Sequence, residues 1–192
     1  MNGKLNCKPT NMKKQLLLQA VLGITISLMI TGCSQKPIES PGDILQKIYN
    51  TPNPFRNEKL DSTLFTRELF QLITQSKETE QKSRETIRMS KAPTDKPLLI
   101  EGEIFASLYE GYTGFKVLTT EVVNDTALLS VEFTNQSYQQ VWTDKVRLIA
   151  VAGSWKLENV MYSKPSSQPD LQQVLRAFIG VGQQEQINSI NN

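Results

Sequence analysis

Hydrophobic residues along this chain follow several different spacings, and each spacing predicts a different element. Residues 16–33 (LLLQAVLGITISLMITGC) form a nearly unbroken apolar run behind Lys13 and Lys14. After the polar stretch 34–40 (SQKPIES) the spacing turns helical. Ser40 is placed to cap a first helix, Pro41 suits its first position and Asp43 completes a capping box. Ile44, Leu45 and Ile48 share one face with Tyr49 beside them, and two prolines in 51–54 stop the helix. A longer helix is predicted over 62–89. Its first half carries Leu64, Phe65, Leu69, Leu72 and Ile73, while its second half, SKETEQKSRETIR, is almost wholly polar and reads as a solvated face or a frayed arm. Glu78 with Lys82, and Glu80 with Arg84, have the spacing of helical ion pairs.

Residues 92–112 have no period. Polar breaks flank Leu98, Leu99, Ile100, Ile104, Phe105, Leu108 and Tyr109. A loop of this length inside a compact domain must be held by its own side chains, and a helical turn is expected near 104–108. From Lys116 the period becomes two, and four strands are predicted over 116–123, 126–134, 140–152 and 155–162. In the second, Ala127, Leu129, Val131 and Phe133 face one way, and Ser130, Glu132 and Thr134 the other. Turns fall at Asn124 and Asp125, at 135–137, and at Gly153 and Ser154. Asp144 lies on the apolar face of the third strand with Trp142 and Val146. It is expected at a strand end that water reaches, the alternative being burial against a cation such as Arg147 or Lys145. A closing helix begins at Asp170 and ends at Gly180, with Leu171, Val174, Leu175, Phe178 and Ile179 as its core stripe. Residues 181–192 are predicted to be a mobile tail. The elements in this order give an α+β domain: N-terminal helices packed on a curved antiparallel sheet of about four strands, with a C-terminal helix.

Composition then removes whole classes of chemistry. The 192 residues include no histidine and two cysteines, Cys7 and Cys33. Histidine-based zinc sites, Ser-His-Asp triads and imidazole acid–base catalysis are excluded. Among the carboxylates, Asp95, Glu101, Glu103 and Glu110 fall in the aperiodic stretch. Close carboxylates can raise one another's pKa for acid–base work or hold a hard cation, but residues of this kind ordinarily cap turns or face water. No catalytic residue, metal site or bound cofactor is therefore predicted.

The apolar run sets the address. Two lysines, a short hydrophobic segment and Ile30-Thr31-Gly32-Cys33 resemble a bacterial lipoprotein signal with its lipobox. The run, at about 15 residues, is shorter than the roughly 20 a spanning helix needs. Ile30 fits poorly as the small residue an ordinary signal cleavage site wants. Cleavage between Gly32 and Cys33 would leave diacylglycerol and an N-acyl chain on Cys33, a tether over 33–40 and a single domain over 41–180. Met12 is a plausible start, which would remove Cys7. The four basic residues Lys4, Lys8, Lys13 and Lys14 leave with the signal, so the net charge of +2 becomes −2. A slightly acidic chain has no electrostatic case for nucleic acid. Ser34 after the lipidated cysteine favours, by analogy with enterobacterial lipoproteins, the outer membrane facing the periplasm.

Two segments carry a further resemblance: Lys96-Pro97-Leu98-Leu99-Ile100-Glu101-Gly102-Glu103-Ile104-Phe105, and the strand Trp155-Lys156-Leu157-Glu158-Asn159-Val160-Met161-Tyr162. With the helices before them they resemble the YbjP-like family of bacterial lipoproteins of unknown function, over about residues 41–179. The resemblance implies an NTF2-like or cystatin-like cone and no catalytic residue. Where the strand pattern has two acids this chain has Glu158 and Asn159, which argues against any role needing paired carboxylates there. The function expected is a non-enzymatic binding or accessory role toward another envelope protein, with the aromatic residues Phe105, Tyr109, Tyr112 and Phe115 as its contact. The alternatives are a small-ligand pocket between sheet and helices, or an inhibitor or immunity lipoprotein with a protruding loop.

Overall fold

The computed structural model describes residues 39–51, 53–58, 60–90, 94–163 and 169–190. The segment predicted to be a signal, Gly32 and the expected lipidation site Cys33 lie outside the described residues. Helix α1 (Pro41–Tyr49) begins with the capping box its sequence predicts. The Asp43 N–H donates to Ser40 Oγ at 3.3 Å, and the Ser40 N–H donates to Asp43 Oδ2 at 3.0 Å. The Ser40 side chain first, and the Ser40 N–H next, hold the Asp43 carboxyl below its ordinary pKa. Ile44, Leu45, Ile48 and Tyr49 are buried on one face.

Helix α2 (Arg67–Met89) starts later than the apolar stripe suggests. Asp61 caps a single 3-10 turn over Ser62–Leu64, and the chain then straightens. Phe65 enters the core and bridges to Leu157 in parallel, and the Thr66 N–H donates to the Leu157 carbonyl at 2.8 Å. Thr66 caps α2 through the Leu69 N–H. The reason for the late start is an edge: the backbone at 65–66 supplies bonds that an outer strand would otherwise expose.

The polar half of α2 is not merely solvated. Glu80 is buried and accepts from Arg56 Nη1 at 2.6 Å, from Arg56 Nη2 at 3.0 Å and from the Ile100 N–H at 2.6 Å. Arg84 lies 4.0 Å away, as the i,i+4 spacing predicts. Ser83 Oγ accepts from the Leu98 N–H at 2.8 Å. The charge run thus contains two residues that fix the start of the aperiodic segment.

The sheet is a meander, β1 (Gly114–Val123), β2 (Thr126–Asn135), β3 (Gln140–Val151) and β4 (Ser154–Met161), each antiparallel to the next. The period-two reading holds: Ala127, Leu129, Val131 and Phe133 of β2 are completely buried, with Trp142, Val146 and Leu148 of β3 beside them. Register shifts by one bulge in β1, between Val117 and Thr119, and by one between Arg147 and Leu148. The last hairpin turns at Ala152 and Gly153, with φ of 50° and 78°, one residue earlier than predicted; Ser154 already belongs to β4. Positive φ at both central residues matches the twist of the flanking strands.

Helix α3 (Leu171–Ile190) is capped by Asp170, whose Oδ1 accepts from the Gln173 N–H at 2.9 Å. Leu171 and Leu175 are in the core, with Val174, Phe178 and Ile179 packed against it. The helix does not stop at Gly180, and residues 181–190 are helical rather than a loose tail. Gly182 explains the continuation. It sits against α2, where a Cβ would lie 2.2 Å from Thr79 Cγ2. The glycine marks a helix crossing, not an end. Among the described residues no helix is long and apolar enough to cross a membrane. The architecture is α+β, with three α-helices and a four-stranded antiparallel sheet among the described residues.

Candidate functional site: the aromatic cleft at the 102–111 loop

The segment between α2 and β1 has the loop character its sequence predicts, without the helical turn expected near 104–108. The donors such a turn would use are committed elsewhere. Glu103 Oε1 accepts from the N–H groups of Ile104 at 2.9 Å and Phe105 at 2.7 Å, and the Ser107 N–H donates to Asp144 Oδ2 at 2.8 Å. Side chains that capture nearby backbone N–H groups compete with helix in this way. The loop closes on itself where the Glu103 N–H donates to the Tyr109 carbonyl at 2.9 Å. Gly102 at φ 74° permits this closure, because a Cβ there would lie 2.6 Å from the Tyr109 ring.

The rest of the fold fixes the loop at four further points. Tyr49 Oη donates to the Phe105 carbonyl at 3.0 Å, and Tyr162 Oη donates to the Ile104 carbonyl. Asn135 Nδ2 donates to the Gly111 carbonyl at 2.7 Å. The strongest anchor is Asp144, which is 0% exposed and therefore not at a wet strand end. Nor does it meet Arg147 or Lys145: Arg147 pairs with Glu158 across the β3–β4 ladder. Instead Asp144 accepts five hydrogen bonds, from Ser107 N–H and Oγ, Ser163 N–H and Oγ, and Trp142 Nε1, at 2.7 to 3.0 Å. Five donors replace the water that a buried carboxylate loses, so no cation is needed.

This loop forms one wall of a cleft of about 420 Å³, with the end of α1 and the start of β1 as the others. Three of the four aromatic residues singled out in the sequence line it: Tyr109, Tyr112 and Phe115. Phe105 does not. It is completely buried and packs edge-on against Phe65 at 6.0 Å, because the loop's apolar side must fill the core. Phe105 is a core residue, not a contact surface. Tyr109 is 58% exposed at the rim. Tyr112 and Phe115 both pack on Tyr49, at 5.5 and 5.3 Å between ring centres, and Tyr49 in turn packs on Phe133 at 5.0 Å. The cleft wall is thus the outer edge of an aromatic stack that continues through Phe133 to Trp142. Tyr112 Oη donates to the Tyr49 carbonyl at 3.2 Å, which fixes its ring.

Sequence reasoning missed Tyr49, Asn50 and Asn53 as lining residues, while Glu110 was among the carboxylates it placed in this stretch. Asn53, at φ 44°, caps the 3-10 turn Pro54–Arg56, and its left-handed backbone has no signature in the hydrophobic pattern. Tyr49 was visible only as a flank of the α1 stripe.

The carboxylates of the loop have three different surroundings. Asp95 is exposed, and Glu101 forms a surface ion pair with Lys96 at 2.5 Å, which lowers the Glu101 pKa. Glu103 lines the cleft. Burial raises its pKa, outweighing the two backbone N–H groups that lower it. The phenols are raised too, for Tyr49 by burial first and then by Tyr112 and the Glu103 charge, and for Tyr112 and Tyr162 by burial and then by Glu103. The twelve lining residues include Glu103 and Glu110 but no lysine or arginine. Among the described residues no group of three or more histidine, cysteine, aspartate or glutamate side chains is placed to hold a metal ion.

The chain matches no protein-family model, no curated protein and no solved structure.

A loop held by α1, β2, β3 and the residue after β4, together with the start of β1, presents an exposed tyrosine, two half-buried aromatic rings and a partly desolvated carboxylate. Preorganisation of this kind lowers the ordering cost of binding.

Proposed function

We propose that the protein is a membrane-anchored envelope lipoprotein of the YbjP-like kind, tethered through acyl chains on Cys33, whose domain binds another envelope protein at the aromatic cleft. The observation that carries the reading is the convergence of Tyr109, Tyr112 and Phe115 on one cleft built by a rigid loop. Exposed aromatic residues over a fixed backbone are the usual anchors of protein contacts.

The position of the cleft supports it. Glu39, the described residue nearest Cys33 in sequence, lines a groove with Val151, Ala152 and Gly153 at the β3–β4 turn. The cleft lies toward the other end of the sheet, where β1 begins and Asn135, paired with Gln140, reaches Gly111. A strand of twelve residues spans about 40 Å. The cleft therefore opens at the end of the sheet away from Glu39.

The small-ligand alternative has less support, because Phe133, Trp142 and Trp155 are core residues on the sheet face that an interior pocket would need. The test is purification of the full chain from envelopes in mild detergent, comparing the parent with Tyr109→Ala and Cys33→Ala. The parent is expected to carry a reproducible partner, Tyr109→Ala to lose it without a change in Tm, and Cys33→Ala to lose palmitate labelling. A parent that carries no reproducible partner overturns the reading.

A further inference from the structure

The cleft pairs aromatic rings with uncompensated negative charge, and this combination narrows the chemistry of what enters it. Glu103 uses Oε1 for the two backbone N–H groups of its own loop, and Oε2 makes no hydrogen bond with the described residues. Its neighbours are phenols whose hydroxyls are already donated to backbone carbonyls, so Tyr49 and Tyr112 offer Glu103 no donor. Glu110 adds a second carboxylate to the lining. The cation of this loop, Lys96, is held by Glu101 outside the lining residues. Anions are therefore repelled, and a neutral apolar group would leave a partly buried carboxylate without water or partner. A cation satisfies both halves of the site at once. It pairs with the carboxylate and is attracted by the ring faces.

We propose that the cleft receives a cationic side chain, lysine or arginine, presented by the protein partner. This rests on the binding role proposed above. A lipid headgroup amine of the anchoring membrane is the other source of such a group. The cleft's position at the sheet end away from Glu39 favours the protein source.

The test uses the full chain in neutral detergent micelles. N-acetyl-lysine methylamide, N-acetyl-arginine methylamide and the uncharged N-acetyl-norleucine methylamide are titrated while the ring signals of Tyr109, Tyr112 and Phe115 are followed by NMR. The cationic probes are expected to shift those rings saturably, with affinity falling as salt rises, and norleucine is not. Glu103→Gln keeps an acceptor oxygen for the Ile104 and Phe105 N–H groups, so the loop stays built, and it is expected to weaken the cationic probes by about tenfold. Equal binding of norleucine, an unchanged affinity in Glu103→Gln, or no ring shift with either cation overturns the inference. Phosphatidylethanolamine vesicles that shift the same rings more strongly than the peptide probes overturn the protein source. A partner lost from Tyr109→Ala but retained at full level by Glu103→Gln removes this inference and leaves the binding role standing. No partner on the parent, with saturable cation binding, removes the binding role and the protein source together and leaves the cleft's preference for cations standing.

Discussion

Asp144 Oδ2 accepts the Ser107 N–H at 2.8 Å while Oδ1 accepts the Ser107 hydroxyl at 2.7 Å, a double bond of contact across 37 residues that locks the loop to β3. Both oxygens also serve other donors, on Trp142 and Ser163. Asp144→Asn is nearly isosteric but turns one oxygen into an N–H₂ group facing donors. It is expected to cost about 2–4 kcal/mol, the price of buried donors left unmatched. Urea denaturation of the two proteins checks this, and an unchanged midpoint contradicts the role given to Asp144.

Two glycines of α3 separate crowding from helix propensity. At Gly182 a Cβ would meet Thr79 Cγ2 at 2.2 Å, whereas at Gly180 nothing lies within 4 Å. Gly182→Ala is expected to destabilise by about 1–3 kcal/mol through overpacking. Gly180→Ala is expected to stabilise by up to about 1 kcal/mol. Thermal unfolding of both, with Thr79→Ala added to Gly182→Ala as the rescue, tests the crossing. Opposite signs for the two glycines are the expected outcome.

Ala152 adopts φ 50° in the β3–β4 turn, a region that L-residues with a plain Cβ enter at a cost. Asparagine tolerates it because its side chain bonds to local backbone. Ala152→Asn is expected to raise stability by about 0.5–1 kcal/mol. A lower Tm would contradict the turn geometry.

Glu103 gives a pH signature. Burial raises its folded pKa above the ordinary 4.5, so the folded state binds this proton more tightly than the unfolded state does. The charged form therefore costs stability at pH above the folded pKa, and the cost vanishes as pH falls through that value toward 4.5. The groups facing Glu103 are the phenols of Tyr49, Tyr112 and Tyr162, neutral across this range, together with Glu110 in the cleft lining. Glu103→Gln is expected to melt above the parent at pH 7, with the two curves converging as the solution is acidified. A constant difference at every pH contradicts the desolvated carboxylate.

How much was legible in the sequence follows from the range of the interactions. The capping box at Ser40, the four strands and the stripe from Leu171 to Ile179 are local patterns, and the structure reproduces them. The late start of α2 was hidden because Phe65 is fixed by Leu157, 92 residues away in sequence, and not by its neighbours. The burial of Asp144 was hidden for the same reason: its donors come from Ser107 and Ser163, which carry no recognisable motif. Gly180 reads as a helix stop, and the packing requirement at Gly182 was hidden because only the position of Thr79 creates it. In the cleft, clustered aromatics were visible, but not which of them faces inward. Phe105 turned inward because Glu103 and Asp144 bend the loop around it.

The most direct test of the binding role is photo-crosslinking in living cells. p-Benzoylphenylalanine is placed at Tyr109 on the cleft rim, with Val123 as the control, a residue exposed at the far end of β1. A single discrete adduct at position 109, absent at 123 and absent when Tyr112→Ala is added, is the result expected. Equal adducts at both positions, or none at 109, would contradict a partner seated in the cleft.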